Sequence, residues 1–168
     1  MKRELQQKDI AGYLPYGLKY TNYHHGAIFI IELYNGGLEQ LMQTPDLYKP
    51  VLRPLYDLYC TITHNGEEIV PIVELAKMAK LHLDYKSDWK FERGPIIDCA
   101  IKSDDLYFVF ENGSFISYVD SGKRLIQNKI LNQYALFDYL HELKIDYRGL
   151  IDAGLAIDVN TLESNPYE

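Results

Sequence analysis

A chain of 168 residues fits a single domain, and its 47% hydrophobic and 24% charged residues match ordinary globular composition. Charge is spread along the chain rather than blocked, which excludes disorder beyond the ends. The formal net charge of −7 argues against general attraction to nucleic acid or an anionic membrane, because both depend on clustered Lys and Arg.

The first residues, Met1-Lys2-Arg3-Glu4, run into Gln and charged residues instead of the apolar core of a secretory signal. The longest apolar run, Ala27 to Ile31, is far short of the roughly 20 residues of a membrane helix. The sequence therefore reads as a soluble cytoplasmic protein. Cys60 and Cys99 stand far apart in no metal-ligand spacing, and their apolar surroundings read as two buried free thiols.

In chain order, residues 4–14 suggest a short helix or an irregular lead-in, with Pro15 stopping any helix. Leu18 to Tyr23 and Ala27 to Tyr34 read as paired strands, the second so apolar that it is expected to be central or covered on both faces. A third strand is expected over Leu38 to Met42, after Asn35-Gly36. Pro45, Pro50 and Pro54 forbid a regular helix or a central strand, so 44–54 reads as an extended connector. Leu55 to Cys60 reads as a helical turn, and Asn65-Gly66 as a hairpin turn. Ile72, Leu75, Ala76, Ala79 and Leu83 recur at the spacing of a helix face.

Residues 84–94 carry six charged side chains around Trp89 and end at Gly94-Pro95, as an exposed loop or a seam would. Strands are expected at Ile96 to Ile101, Leu106 to Phe110 and Phe115 to Val119, the last two hinged at Asn112-Gly113. A helix from about Asn128 to Leu143 places Leu136, Tyr139, Leu140 and Leu143 on one face and Asp138, His141 and Glu142 on the opposite one. The fold class is α+β: antiparallel β-hairpins forming one or two sheets, with about three helices packed against them. Residues 1–168 form one domain with two structural halves, 1–90 and 91–163, and 164–168 fray.

No catalytic constellation is complete. His24-His25 lie side by side, where neighbouring strand residues point to opposite faces. His141-Glu142 begins the zinc signature HExxH, but Ile145 stands where the second His belongs. Ser121-Gly122-Lys123 lacks the earlier Gly and the following hydroxyl of a phosphate loop, and no GxSxG surrounds Ser114. Asp104-Asp105 and Asp84 with Asp88 sit where loops carry charge. No cofactor is implied.

The compositional oddity is 15 tyrosines against one Trp and six Phe. Tyrosine joins a rigid apolar ring to a polar tip, which suits surfaces that are wet when free and dry when bound. Tyr13, Tyr16, Tyr20 and Tyr23 cluster, and Tyr48, Tyr56 and Tyr59 flank the prolines, so these seven form the candidate binding surface.

Several blocks resemble small uncharacterised proteins encoded by phages, prophages and mobile elements of gut Bacteroidetes. They are Leu14-Pro15-Tyr16-Gly17-Leu18-Lys19, Lys49 to Leu55 with Asp57-Leu58, His64-Asn65-Gly66-Glu67, and Gly149 to Leu162. The resemblance implies a phage-related accessory role in a bacterial cytoplasm and supplies neither an activity nor a functional residue.

The leading expectation is a non-enzymatic module that binds a protein partner through its tyrosines, with neither membrane nor nucleic acid as partner. One alternative is a small enzyme or ligand binder assembled from His24, His25, His64 and Asp98. The other is an acidic decoy of a nucleic-acid-binding host protein. Oligomeric state is left open.

Overall fold

Positive φ at both residues of Asn65-Gly66 (52° and 81°) and of Asn112-Gly113 (50° and 72°) turns the chain back on itself twice. Asn followed by Gly accepts this geometry at the least steric cost. The computed structural model describes residues 3–22, 26–32, 36–79, 90–92, 100–103, 106–122 and 124–168, with 90–92 and 100–103 described as backbone.

Along the chain come α1 (Gln7–Ile10), a 3-10 segment (Ala11–Tyr16), β1 (Lys19–Asn22), β2 (Ile28–Ile30), α2 (Gly37–Gln43), β3 (Tyr48–Leu52) and a 3-10 turn (Leu55–Tyr59). They are followed by β4 (Ile62–His64), β5 (Glu67–Ile69), α3 (Pro71–Met78), β6 (Lys90–Glu92), β7 (Ala100–Ser103), β8 (Leu106–Glu111), β9 (Ser114–Asp120) and β10 (Leu125–Lys129). Then α4 (Gln133–Glu142), β11 (Ile157–Asp158) and a 3-10 turn (Val159–Thr161) complete it. The sheets have the orders β11-β3-β1-β2 and β10-β9-β8-β7-β6, with β4-β5 as a separate hairpin. This is the expected α+β fold, with three sheets among the described residues instead of one or two. No helix among those residues is long and apolar enough to cross a membrane.

The chain divides into two units: Met1–Leu58 with Thr63–Glu67 and Leu140–Glu168, and Tyr59–Ile62 with Glu68–Tyr139. In the first, Ile10, Tyr13, Leu18, Tyr20, Ile31, Leu41, Leu52 and Leu150 form one buried apolar cluster. At α1 the Asp9 carboxylate reaches back to accept from the Gln6 N–H at 3.0 Å, satisfying a donor that the helix start leaves open. In the second, the Phe108 and Phe115 rings stack with centroids 5.6 Å apart, and Phe137 of α4 meets Phe115 edge-on at 5.7 Å. On the other face of that sheet, Val109 is buried among Tyr107, Ile116, Tyr118 and Leu125. Pro71 opens α3 at a position where its missing N–H is unused, and Ile72, Leu75 and Ala76 form the buried stripe their spacing predicts.

Five sequence expectations are corrected. Leu38 to Met42 is helical as part of α2, not a strand, because Leu38, Leu41 and Met42 recur at one-turn spacing and all pack on the core. The apolar run at 27–31 is not central: β2 is an edge strand whose Ile28, Phe29 and Ile30 are exposed. Pro50 does not exclude an interior strand, since β3 lies between β11 and β1. Asn22 N donates to Ala27 O and Ile31 N to Leu18 O. The alternation of an antiparallel ladder then aims the polar backbone of Tyr20 at β2. Its other partner Pro50 is a non-hydrogen-bonded neighbour, where a missing N–H loses nothing. The helix expected from Asn128 begins at Gln133, because Leu125–Lys129 pairs with Asp120–Ile116 as β10. Cys60 is exposed, and Cys99 lies outside the described residues.

Candidate functional site

The last turn of α4 builds the best-defined polar site. Ile145 N donates to Leu140 O at 2.9 Å and Lys144 N to His141 O at 3.1 Å, the paired bonds of a Schellman termination. Lys144 therefore occupies a left-handed position, φ 60°, where glycine is the usual residue. The chain then runs alongside the end of β3, with Arg53 N donating to Lys144 O and Asp146 N to Arg53 O, both at 2.8 Å. The Asp146 carboxylate fixes the next bend by accepting from Ile151 N at 2.7 Å and Arg148 N at 3.3 Å.

Three cations converge there on residues 166–168. The Lys144 Nζ lies 5.2 Å and the Lys19 Nζ 5.5 Å from the centroid of the Tyr167 ring, within cation–π range. The Arg53 guanidinium is 3.9 Å from Glu168 Oε1. The Lys19 ammonium also donates to Pro166 O. The Tyr167 hydroxyl donates to Val51 O at 2.7 Å and accepts from Lys19 N at 3.2 Å. Asn165 shapes the segment into a turn, its Oδ1 accepting from Tyr167 N at 3.0 Å and its Nδ2 donating to Glu168 Oε1 at 2.7 Å. The segment 164–168, read from sequence as a fraying end, thus carries these side-chain anchors.

Burial sets the electrostatics of this cradle. It lowers the pKa of the Lys144 amine, with Arg53 and Lys19 adding to the fall and Glu142 opposing it. It raises that of the Tyr167 hydroxyl, which the Lys19 N–H and Arg53 oppose. Behind the cradle, Arg53 donates to Thr63 O at 3.2 Å and stands 4.0 Å from Asp57. Both oxygens of Asp57 accept from Asn160 Nδ2 at 3.2 Å.

A second polar cluster surrounds Tyr147. Arg148 Nε donates to its hydroxyl at 3.0 Å, and His141 Nε2 shares a hydrogen bond with the same oxygen at 2.8 Å. The Tyr13 ring meets His141 edge-on at 4.8 Å, and its buried hydroxyl donates to Ile145 O at 2.8 Å. His141 is packed against these rings, although the helical wheel assigned it to the side opposite the apolar face. His64, the described member of the proposed His24, His25, His64 and Asp98 set, shares a hydrogen bond with Glu142 at 3.1 Å. Among the described residues no three His, Cys, Asp or Glu side chains are grouped to hold a metal ion.

The seven candidate tyrosines do not share one surface. Tyr13 is fully buried and Tyr20 is 6% exposed, both in the core of the first unit. Tyr20 stacks on Phe29 with centroids 5.6 Å apart and meets Tyr48 edge-on at 5.8 Å, so those two tyrosines are brought together inside. Tyr16, Tyr48 and Tyr59 are half-buried. Tyr56 is exposed, its hydroxyl accepting from Asn160 Nδ2 at 3.1 Å. Tyr23 lies outside the described residues. Sequence reasoning missed Lys19, Arg53, Lys144 and Tyr167, which are scattered through the chain, and passed over the edge position of Ile28 to Ile30.

Among the described residues of the first unit, that edge carries a continuous exposed apolar stretch. Ile28, Phe29 and Ile30 are 37%, 43% and 55% exposed in succession. Phe29 bonds back toward Tyr20 by the ladder alternation, so the N–H and C=O of Ile28 and Ile30 point away from β1.

Comparison with protein-family models, curated proteins and solved structures returns no match to this chain.

Proposed function

We propose that the protein is a non-enzymatic binding module that takes up an extended segment of a partner protein as an added strand against β2. The observation that carries this reading is an edge strand bearing three successive exposed apolar side chains, Ile28, Phe29 and Ile30. Native edges are usually blunted by shortness, charge, proline or bulges; β2 is short, at 3 residues, but carries no charge, proline or bulge of its own. Strand addition draws affinity from main-chain hydrogen bonds and specificity from alternate side chains. A partner strand would bond to Ile28 and Ile30 and lay apolar side chains beside theirs and Phe29. The resemblance of four sequence blocks to phage and mobile-element proteins supports an accessory role.

The test is selection from a display library of extended peptides against the full chain. Binders should alternate apolar positions and should lose binding to Ile30→Pro, which deletes an outward-facing donor without touching the β1 ladder. Binders that tolerate Ile30→Pro, with the variant's circular dichroism unchanged, would overturn the reading.

A further inference from the structure

The cradle around Tyr167 is a second recognition surface, independent of strand addition at β2. We propose that Lys19, Arg53 and Lys144 form a groove for an acidic, tyrosine-bearing segment of a partner protein, and that residues 164–168 occupy it in cis as a displaceable strap.

The seated segment specifies the occupant's chemistry. A tyrosine ring is flanked by two ammonium groups at 5.2 and 5.5 Å, its hydroxyl donates to Val51 O, and the acidic residue beside it faces Arg53. Charge complementarity selects the same class of ligand, because three cations converge here in a chain whose formal net charge is −7. Lys144 adds an independent observation. It holds a left-handed C′ position that glycine would fill with less strain, and from there its ammonium both caps the helix, donating to Glu142 O at 2.7 Å, and reaches the Tyr167 ring, which no glycine could do. Strain kept at one residue points to a role for its side chain.

Displacement is physically reasonable. The strap is a short turn with a single aromatic ring, the Tyr167 hydroxyl bonds, the Lys19 bond to Pro166 O and a Glu168 ion pair of 3.9 Å as its anchors, and the last of these leaves that carboxylate 45% exposed. Its advantage over a partner is its tether, which acts as an effective concentration on the order of millimolar for a short link. A partner segment that adds contacts outside the groove overcomes that advantage.

The experiment measures fluorescence anisotropy of a dye-labelled Ser-Asn-Pro-Tyr-Glu peptide with the full wild-type chain, Tyr167→Ala, and Tyr167→Ala combined with Lys144→Gln. Emptying the groove should tighten peptide binding by about tenfold or more over wild type, since the tethered competitor is removed. The double variant should lose most of that gain, added salt should weaken binding, and a Ser-Asn-Pro-Ala-Glu peptide should not bind. Should Tyr167→Ala fail to fold, Tyr167→Phe, which keeps the ring and deletes the bond to Val51, is expected to bind the peptide more tightly than wild type. The proposal is overturned if no folded Tyr167 variant outbinds wild type, or if both peptides bind alike. It is also overturned if wild type sediments as a dimer that Tyr167→Ala dissociates, which would assign the groove to a second copy of this chain. Ile30→Pro should leave all of these readouts unchanged, so failure here and failure of strand addition are separable.

Discussion

Arg53 and Asp57 face each other at 4.0 Å with side chains 5% and 6% exposed, at the outer limit of an ion pair and almost out of water. Burial consequently outweighs attraction, and the Asp57 carboxyl is raised above its ordinary 3.8 despite Asn160 and Arg53, which pull it down. In the unfolded chain this group releases its proton near 3.8, whereas the folded protein holds it to higher pH. The folded state then binds more protons across that window, and the stability contributed by Asp57 is full below 3.8 and lost as pH rises through the folded value. Urea unfolding of wild type and Asp57→Asn from below 3.8 upward should show the wild-type advantage shrinking as pH rises through the folded value and levelling off above it. A growing advantage would mean that Arg53 and Asn160 govern the carboxyl.

Tyr13 is a core residue whose hydroxyl spans 132 positions of sequence to bond Ile145 O. Tyr13→Phe keeps the ring and orphans part of that carbonyl's bonding, so we expect a loss of about 1–2 kcal/mol in denaturant unfolding. A change indistinguishable from zero would place the hydroxyl in contact with water.

Gly12 lies under the His141 ring: a Cβ added there would stand 2.4 Å from two ring atoms. Because the ring is packed against Tyr13 and Tyr147, it cannot simply rotate away. Gly12→Ala is expected to destabilise by about 1–3 kcal/mol and to shift the His141 ring resonances in NMR spectra. Unchanged resonances would contradict this packing.

Lys144 separates backbone from side-chain effects. Lys144→Gly should be more stable than Lys144→Ala by about 1 kcal/mol, because both delete the ammonium but only glycine relieves the left-handed strain. Thermal unfolding of the two variants measures this directly, and equal stabilities would refute the strain assigned to Lys144.

Local chemistry was legible wherever one dipeptide or one helical face sufficed. Asn65-Gly66 and Asn112-Gly113 made the turns their residues favour, and the Ile72, Leu75, Ala76 stripe became α3. Pattern failed where two periods competed over a short run, as in Leu38 to Met42, whose apolar spacing suits a helix and whose neighbours suggested a hairpin. It failed again at Pro50, because a missing N–H matters only if the ladder asks for it, and ladder phase is set by the partner strands. The tyrosines misled for a similar reason. Tyr13 and Tyr20 look the same in sequence as Tyr56, yet burial separates them into core and surface.

By itself the sequence determined the α+β class, the two positive-φ hairpin turns and the amphipathic stripe of α3, since each follows from steric preference or period within a few residues. Only tertiary structure decided that Ile28 to Ile30 lie at a sheet edge, and that Lys19, Arg53 and Lys144 converge on Tyr167. Edge position depends on which strands pair, and convergence of like charges depends on chain crossings far apart in sequence, so neither leaves a local pattern to read.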